Sequence, residues 1–435
     1  MMTYEEAMVF LKDLTKFGYN FGLERITRLL ELLGNPHRNL KVVHVGGTNG
    51  KGSTCAMISS ILQAAGYRVG LFISPHLHSY TERMQIDGKE MPRNTIARLL
   101  TGMRPLLEQM VREGYEHPTE FEVNTALALQ YFFEEKVDFA VLEVGLGGAI
   151  DSTNVVHPLV GVITNVGMDH MEYLGNTLEE ITRIKAGIIK PGSLVVTASR
   201  LPRVLQILED ISRKQKARLI KVGEEIRPTL LTASLKGTTF DLQGPDWRYT
   251  ELAVPLIGEH QVLNGATAVT VVECLKEQGY FIAEEAIRQG LGQVFWPGRL
   301  EVLGEDPIIL VDIAHNVDGA ITLRRSLEKI FRYRRLILVV GMLADKERKN
   351  FIDILAPLAN ILIVTKPNSP RAEGWEELAT MADKKVARIE VHENIQEAVG
   401  RGLELAQKED LLCITGSLYL VNDARKMLLK NNIME

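Results

Sequence analysis

Cysteine is scarce in this chain, aromatic residues are few, and there is no excess of basic charge. Three cysteines (Cys55, Cys274, Cys413) stand far apart in 435 residues, with no C-x-x-C pair. That excludes a disulfide framework, gives no zinc site, and fits a reduced, cytoplasmic setting. A formal net charge of −5 lacks the basic footprint of a protein that coats nucleic acid, so no nucleic-acid partner is expected. No uncharged apolar run approaches the ~18 residues of a membrane span. The first twenty residues carry Glu5, Glu6 and Asp13 instead of a basic segment followed by an apolar one. Neither a membrane partner nor a signal peptide is therefore expected. Hydrophobic residues at 46% and charged residues at 24% are ordinary for a globular protein, and the length exceeds one ordinary core. Two or three domains follow.

What is present is organised around Val42-Val43-His44-Val45-Gly46-Gly47-Thr48-Asn49-Gly50-Lys51-Gly52-Ser53-Thr54. A short β-branched run reads as a buried parallel strand. Glycines follow, and then Cys55 to Leu62 with helical spacing. Strand, glycine turn and helix are what a triphosphate loop requires: successive backbone N–H groups curl around phosphate oxygens at the helix's positive end. Lys51 would reach the β- and γ-phosphates, and a hydroxyl would hold Mg²⁺. The match to G-x-x-x-x-G-K-[ST] is a variant, with Val45 at the first glycine and the hydroxyl displaced by Gly52 to Ser53. A plain glycine-rich turn with a solvated lysine is the alternative.

Along the chain, Tyr4 to Phe17 and Leu23 to Leu33 read as amphipathic helices, the second stopped by Gly34-Asn35-Pro36. Strands are expected at Arg68 to Ile73, Glu82 to Asp87, Val137 to Val144 and Leu159 to Val166. Helices are expected at Thr95 to Arg112, Glu122 to Glu135 and Thr177 to Ile189. Alternation of this kind predicts a mostly parallel sheet covered on both faces. Leu219 to Val254 changes to short alternating strands, a β-rich extension. Trp296-Pro297-Gly298-Arg299 resembles a linker, and a second strand–helix series runs from Ile308 to Leu429. The expected division is residues 1–296 and residues 297–435.

In open α/β sheets ligands sit beyond the carboxyl ends of strands. Ser53, Ser74, Glu143, Asp151 and His170 all fall at such ends. Glu143 interrupts an apolar strand, where an unpaired carboxylate would be costly and a cation would resolve the cost; a solvent-facing edge strand is the alternative. His170, in a loop, reads by itself more readily as a hydrogen-bonded structural histidine than as a ligand. Together Ser53, Glu143 and His170 make a candidate Mg²⁺ shell. Lys185, in the stretch Arg183 to Lys190 of the apolar helix expected from Thr177, reads by itself as a snorkelling lysine. Asp312 ends a strand with His315 in the next turn, where helix capping is the alternative.

The motifs closely resemble folylpolyglutamate synthase, including its bifunctional dihydrofolate synthase form, among the ATP-dependent ligases related to the cell-wall Mur enzymes. The resemblance runs through Gly47 to Ser53, Ser74-Pro75-His76-Leu77 with Thr81-Glu82-Arg83, and Glu143 to Gly148 with Asp151-Ser152-Thr153-Asn154. It continues in Lys185 to Lys190, Trp296 to Glu301 and Asp312 to Asn316, all in the family's order. It implies an α/β fold: a phosphate-loop, Mur-ligase-like domain with a mostly parallel sheet, and a smaller Rossmann-like C-terminal domain.

It also implies roles. Thr48, Asn49, Gly50, Lys51, Gly52 and Ser53 would cradle ATP, and Asn264, Arg299, Asp312 and His315 would complete its site. Ser53, Ser74, Glu143, His170 and a carbamylated Lys185 would hold two Mg²⁺ ions. Lys51, Lys185, Asp312 and His315 would serve the chemistry. Arg83, Thr119, Glu120, Phe121 and Asp151 would lie near the folate. The implied reaction forms an acyl phosphate on dihydropteroate or a tetrahydrofolate polyglutamate, then couples L-glutamate. A monomer is the default expectation. Ala149 stands where bifunctional relatives carry an arginine, which leaves the chain-lengthening reaction alone as a second expectation. A Mur ligase using a nucleotide-sugar substrate would need a sizeable N-terminal domain, and only about 45 residues precede the loop. A non-enzymatic nucleotide module would not need the second α/β series.

Overall fold

The computed structural model describes residues 1–18 and 20–430. Two compact units compose it. The first comprises Met1–Thr229, Asp241–Leu252 and Leu263–Val294; the second comprises Leu230–Phe240, Ala253–Val262 and the chain from Phe295 onward.

The first unit is built on strands β1 (Val42–Gly46), β2 (Val69–Phe72), β3 (Met84–Ile86), β4 (Lys89–Glu90), β5 (Phe139–Glu143), β6 (Val160–Ile163), β7 (Leu194–Thr197) and β8 (Arg218–Lys221). Their order is β4-β3-β2-β5-β1-β6-β7-β8. All neighbours are parallel except β2 with β3 and β3 with β4. Strand β1 lies at the centre, with the chain leaving it towards β2 on one side and arriving at β6 on the other. That reversal is the place where a doubly wound sheet opens a crevice for a ligand. One core cluster joins Val42, Phe72, Ala140 and Leu142 to the helices Tyr4–Leu14, Glu24–Leu32, Arg93–Arg112 and Glu120–Glu134. Strand alternation puts His44 on the same face as Val42.

A three-stranded sheet of order β11-β10-β9 follows, with β9 Arg227–Ser234, β10 Gly237–Gln243 and β11 Arg248–Val254. The second unit carries β12 (Glu301–Glu305), β13 (Ile308–Asp312), β14 (Leu336–Val340), β15 (Ile361–Thr365), β16 (Arg388–His392) and β17 (Leu411–Thr415). Their order is β12-β13-β17-β14-β15-β16, parallel throughout except for β12 against β13. Strands β13, β14, β15 and β17 are apolar runs buried on both faces, which is why the sequence marks them so clearly.

Several local readings change. The strand expected at Glu82 to Asp87 begins as a 3₁₀ turn, Tyr80–Arg83, because Ser79 and Glu82 form a capping box; only Met84–Ile86 is extended. The β-rich extension expected from Leu219 starts later, since Arg218–Lys221 is the parallel edge of the large sheet. Strand β7 and the helix Pro202–Lys214 complete a crossover unit between them. The helix expected to reach Ile189 ends at Lys185 and passes into a 3₁₀ turn, Ala186–Ile188. Lys185 is therefore a helix-end residue.

Helix Lys51–Ala64, which opens at the glycine loop, is set by its crossing with helix Glu284–Gln293. A Cβ on Gly290 would lie 2.4 Å from Ile61 Cα, and Ser60 Oγ donates to the Gly290 carbonyl at 2.7 Å. Gly290→Ala must push the two backbones apart. It is expected to destabilise the protein by about 1–3 kcal/mol, read as a lower urea midpoint at an unchanged slope.

Candidate active site

Strand β1 runs into a loop that turns on Gly47 (φ 140°) and Gly50 (φ 82°), the second being the left-handed cap of helix Lys51–Ala64. A Cβ on Gly47 would lie 2.0 Å from Thr164 Oγ1. Only glycine fits both the dihedrals and that approach. The segment after β6 fixes the loop from outside. Asn165 accepts the Thr48 N–H with its carbonyl at 2.9 Å and the Asn49 N–H with its side chain at 2.8 Å. Thr164 donates to the Asn49 carbonyl at 2.7 Å, and the Gly167 N–H donates to Thr48 Oγ1 at 3.0 Å.

Lys51 Nζ donates to the carbonyls of Gly47 and Thr48, each at 3.2 Å, and Lys185 Nζ donates to the same Gly47 oxygen at 2.9 Å. Lys185 is 5% exposed. Burial first, and the Lys51 charge second, push its pKa down to about 7, against the pull of Asp169 and Asp151. The helix end that carries it rests on the loop after β5: Ala149 N–H donates to the Ile184 carbonyl at 2.8 Å, and Gly148 leaves no room for a side chain beside the Lys185 carbonyl. Ser53 is buried in the first turn of the helix, and Gly52 beside it is buried too. Asn264, from helix His260–Glu277, reaches this loop: its side-chain oxygen lies 2.5 Å from where a Gly50 Cβ would be.

Glu143 ends β5 with its carboxylate buried, in register with Val45, and it accepts the Ser74 N–H at 3.3 Å. Its charge, after burial, helps push the Cys55 thiol well up. The strand is central, which removes the solvent-edge alternative. His170 is placed otherwise, in a left-handed turn (φ 53°) with its side chain 38% exposed and Nε2 3.9 Å from Asp169. Among the described residues no three His, Cys, Asp or Glu side chains cluster as a self-sufficient metal site. The Glu143 carboxylate and the Ser53 hydroxyl are hard oxygen donors of the kind Mg²⁺ takes, with water and phosphate oxygens completing its shell.

The other expected residues surround the mouth of β5. Thr119 caps helix Glu120–Glu134: its hydroxyl accepts the Glu122 N–H at 3.3 Å, while Glu122 accepts the Thr119 N–H at 2.7 Å and is paired with Arg25 at 3.2 Å. Glu120 accepts from Tyr80 OH at 2.6 Å and from Arg83 at 3.0 Å. Arg83 lies over the Tyr80 ring at 4.6 Å. Phe121 covers Gly145, where a Cβ would lie 2.4 Å from the ring. Asp151 is buried and turned onto its own loop, accepting the Leu146 N–H at 2.7 Å and the Thr153 N–H at 3.0 Å.

In the second unit Asp312 closes β13, buried, accepting the N–H groups of Leu300 at 2.8 Å and Ala314 at 2.9 Å. Burial raises its pKa against the opposing charge of Arg299. His315 Nδ1 lies 2.9 Å from the Ile313 carbonyl. Capping of helix Val317–Lys329 falls to Asn316, whose side chain accepts the Gly319 N–H at 2.8 Å, so Asp312 and His315 are not needed for it. Sequence reasoning passed over Thr164, Asn165 and His44. Thr164 and Asn165 lie inside the run expected as a strand, Leu159 to Val166, and no local signal marks them as braces of the loop.

Residues 45–272 match the Mur ligase middle domain, and residues 298–418 match the Mur ligase glutamate ligase domain. The chain is 37% identical over 427 residues to the dihydrofolate synthase/folylpolyglutamate synthase of Bacillus subtilis, covering 98% of this chain and 99% of that one. It superposes on Mycobacterium tuberculosis folylpolyglutamate synthase complexed with ADP at a TM-score of 0.90 and 31% identity, over 98% of this chain and 99% of that one. For Escherichia coli FolC in complex with DHPP and ADP the TM-score is 0.89 and the identity 28%, over 99% and 100%.

A lysine with a folded pKa near 7 and an ordinary value near 10.5 when unfolded binds fewer protons folded than unfolded between those limits. Its contribution to stability therefore rises with pH across that window. In carbon-dioxide-free buffer, the unfolding free energy of the wild type minus that of Lys185→Met is expected to climb by roughly 1 kcal/mol per pH unit from pH 7.5 to 9.5. A flat difference in urea titrations would mean the amine behaves as an exposed lysine.

Proposed function

The chain belongs to the Mur ligase family, in its folylpolyglutamate and dihydrofolate synthase branch, and on that footing we propose that it joins L-glutamate to the carboxylate of a pteroate or folate at the expense of ATP. The observation that carries the reading is the meeting of Lys51 and Lys185 on the Gly47 oxygen, inside a loop built to receive phosphate. Lys51, at the positive end of its helix, leaves positive potential that a triphosphate would neutralise.

In this reading Thr48 to Ser53 cradle the ATP phosphates, Lys51 carries the transferred charge, and Asn264 adds its amide beside Gly50. Ser53, Ser74 and Glu143 would hold Mg²⁺, His170 and Lys185 serving a second ion; bound there, the metal supplies electrostatic stabilisation of the phosphoryl oxygens. The amine of Lys185, depressed to about 7, is nucleophilic at neutral pH and suited to carbamylation by carbon dioxide. Arg299, Asp312 and His315 belong to the nucleotide or glutamate side, and Arg83, Glu120 and Phe121 to the folate side. The γ-phosphoryl passes to the acceptor carboxylate; the glutamate amine attacks the acyl carbon, the C–O bond to phosphate breaks, and an amide forms. Positioning supplies most of the acceleration. We place the enzyme in the cytoplasm as a monomer with two metal ions, and keep residues 1–296 and 297–435 as its functional halves.

Ala149 favours a second reading, chain lengthening alone. It is exposed next to Gly187 and offers no charge to a substrate carboxylate.

Purified protein with ATP, Mg²⁺ and L-glutamate is expected to release ADP with dihydropteroate and with tetrahydrofolate alike. Turnover with tetrahydrofolate alone would establish the second reading, and turnover with neither would overturn both. Lys51→Ala is expected to lower kcat by at least ~10²-fold while its circular dichroism stays that of the wild type; undiminished turnover would remove the phosphate-loop assignment.

A further inference from the structure

His44 sits in β1, fully buried, three residues before Gly47. A polar ring in such a place needs a partner, and Thr153 supplies it, with Oγ1 2.8 Å from His44 Nε2. The Thr153 hydroxyl has one proton and donates it to Asp151 Oδ1. Towards the imidazole it can therefore only accept. His44 is thus the Nε2–H tautomer. Its Nδ1, buried with no hydrogen-bond partner, is the bare acceptor nitrogen. The opposite tautomer would strand a buried N–H and set two lone pairs against each other. Burial, with Lys190 adding to it, pushes the ring's pKa down to about 3 and keeps it neutral.

The series continues beyond Asp151. Its second oxygen accepts the Leu146 N–H at 2.7 Å. Gly145 and Leu146 come two and three residues after Glu143, and Gly145 is the residue that the Phe121 ring covers.

We propose that His44 is a positioning residue for the acceptor: through Thr153 and Asp151 it fixes the Gly145–Leu146 turn against the strand that bears the phosphate loop. The proposal rests on the folate-ligase reading above for the identity of the acceptor. It gives Asp151 a task other than touching the folate, because both of its oxygens are engaged by its own loop. The strand feeding the nucleotide side and the turn beside Phe121 are thereby held in one register by three side chains.

The test uses the full-length protein with His44→Phe, His44→Gln, Thr153→Val and the double variant His44→Phe/Thr153→Val. Histidine ¹⁵N spectra of the wild type are expected to show a neutral Nε2–H ring that does not titrate between pH 5 and 8 and that vanishes in His44→Gln. His44→Phe and Thr153→Val are each expected to raise the KM for tetrahydrofolate by about fivefold or more while the KM for ATP stays within about twofold. The double variant should be no worse than either single one, since both break one relay. His44→Gln, whose amide can donate where Nε2 stood, should stay close to wild type. An Nδ1–H ring, additive effects, equal rises in both KM values, or a His44→Gln as impaired as His44→Phe would each overturn the proposal. If His44→Phe does not fold, Thr153→Ser against Thr153→Val makes the same comparison. A wild type inactive with every acceptor would defeat the functional reading, and the tautomer would then decide the relay by itself.

Discussion

The carbonyl oxygen of Gly47 is the point on which the first unit depends. Two lysine side chains converge on it, and like charges brought together at a buried site repel. The Gly47 and Thr48 carbonyls and the charges of Asp169 and Asp151 offset that repulsion, and each lysine is also held by its own element. Lys51 is held by its place at the start of a helix. Lys185 is held by a helix end that lies against the backbone of Gly148 and Ala149. That loop leans in turn on Asp151 and Asn154, whose amide donates to the Gly187 carbonyl at 3.2 Å.

One device recurs wherever a loop must be fixed near a strand end: a carboxylate turned inward to collect backbone N–H groups. Glu82 takes those of Leu77, His78 and Ser79 at 2.7–2.8 Å. Asp151 does it after β5 and Asp312 after β13. Each supplies several acceptor sites to donors that irregular backbone would otherwise leave unmet. The backbone N–H groups of these loops are satisfied for that reason, although the loops lack regular secondary structure.

The large-scale architecture was legible because buried parallel strands announce themselves as apolar runs. Val137 to Val144, Ile308 to Asp312 and Leu336 to Gly341 were all readable within a residue or two of β5, β13 and β14. Strand β12 was not, since Glu301–Glu305 is a half-exposed antiparallel edge without alternation. Strand β7 was short, and only the sheet's completion gives it meaning. The phosphate loop could be read because its glycines and lysine are contiguous. The bracket formed by Thr164 and Asn165 could not, because it is defined by contacts across 115 to 119 positions of sequence. His44 was hidden for the opposite cause: surrounded by valines, it passed for one more position in an apolar strand. Lys185 read as a snorkelling side chain because periodicity cannot show that a helix stops at the residue in question.

The three cysteines share one environment. All three are buried, at 0%, 1% and 0% exposure for Cys55, Cys274 and Cys413, and burial raises each thiol's pKa. Thiolate is the reactive form, so none of them competes for an alkylating reagent in the folded state. A cysteine introduced at any exposed position would be the single addressable thiol on the molecule. Spectroscopic labels, one on each unit, could then report distances in solution without first stripping the native sulfur from the chain.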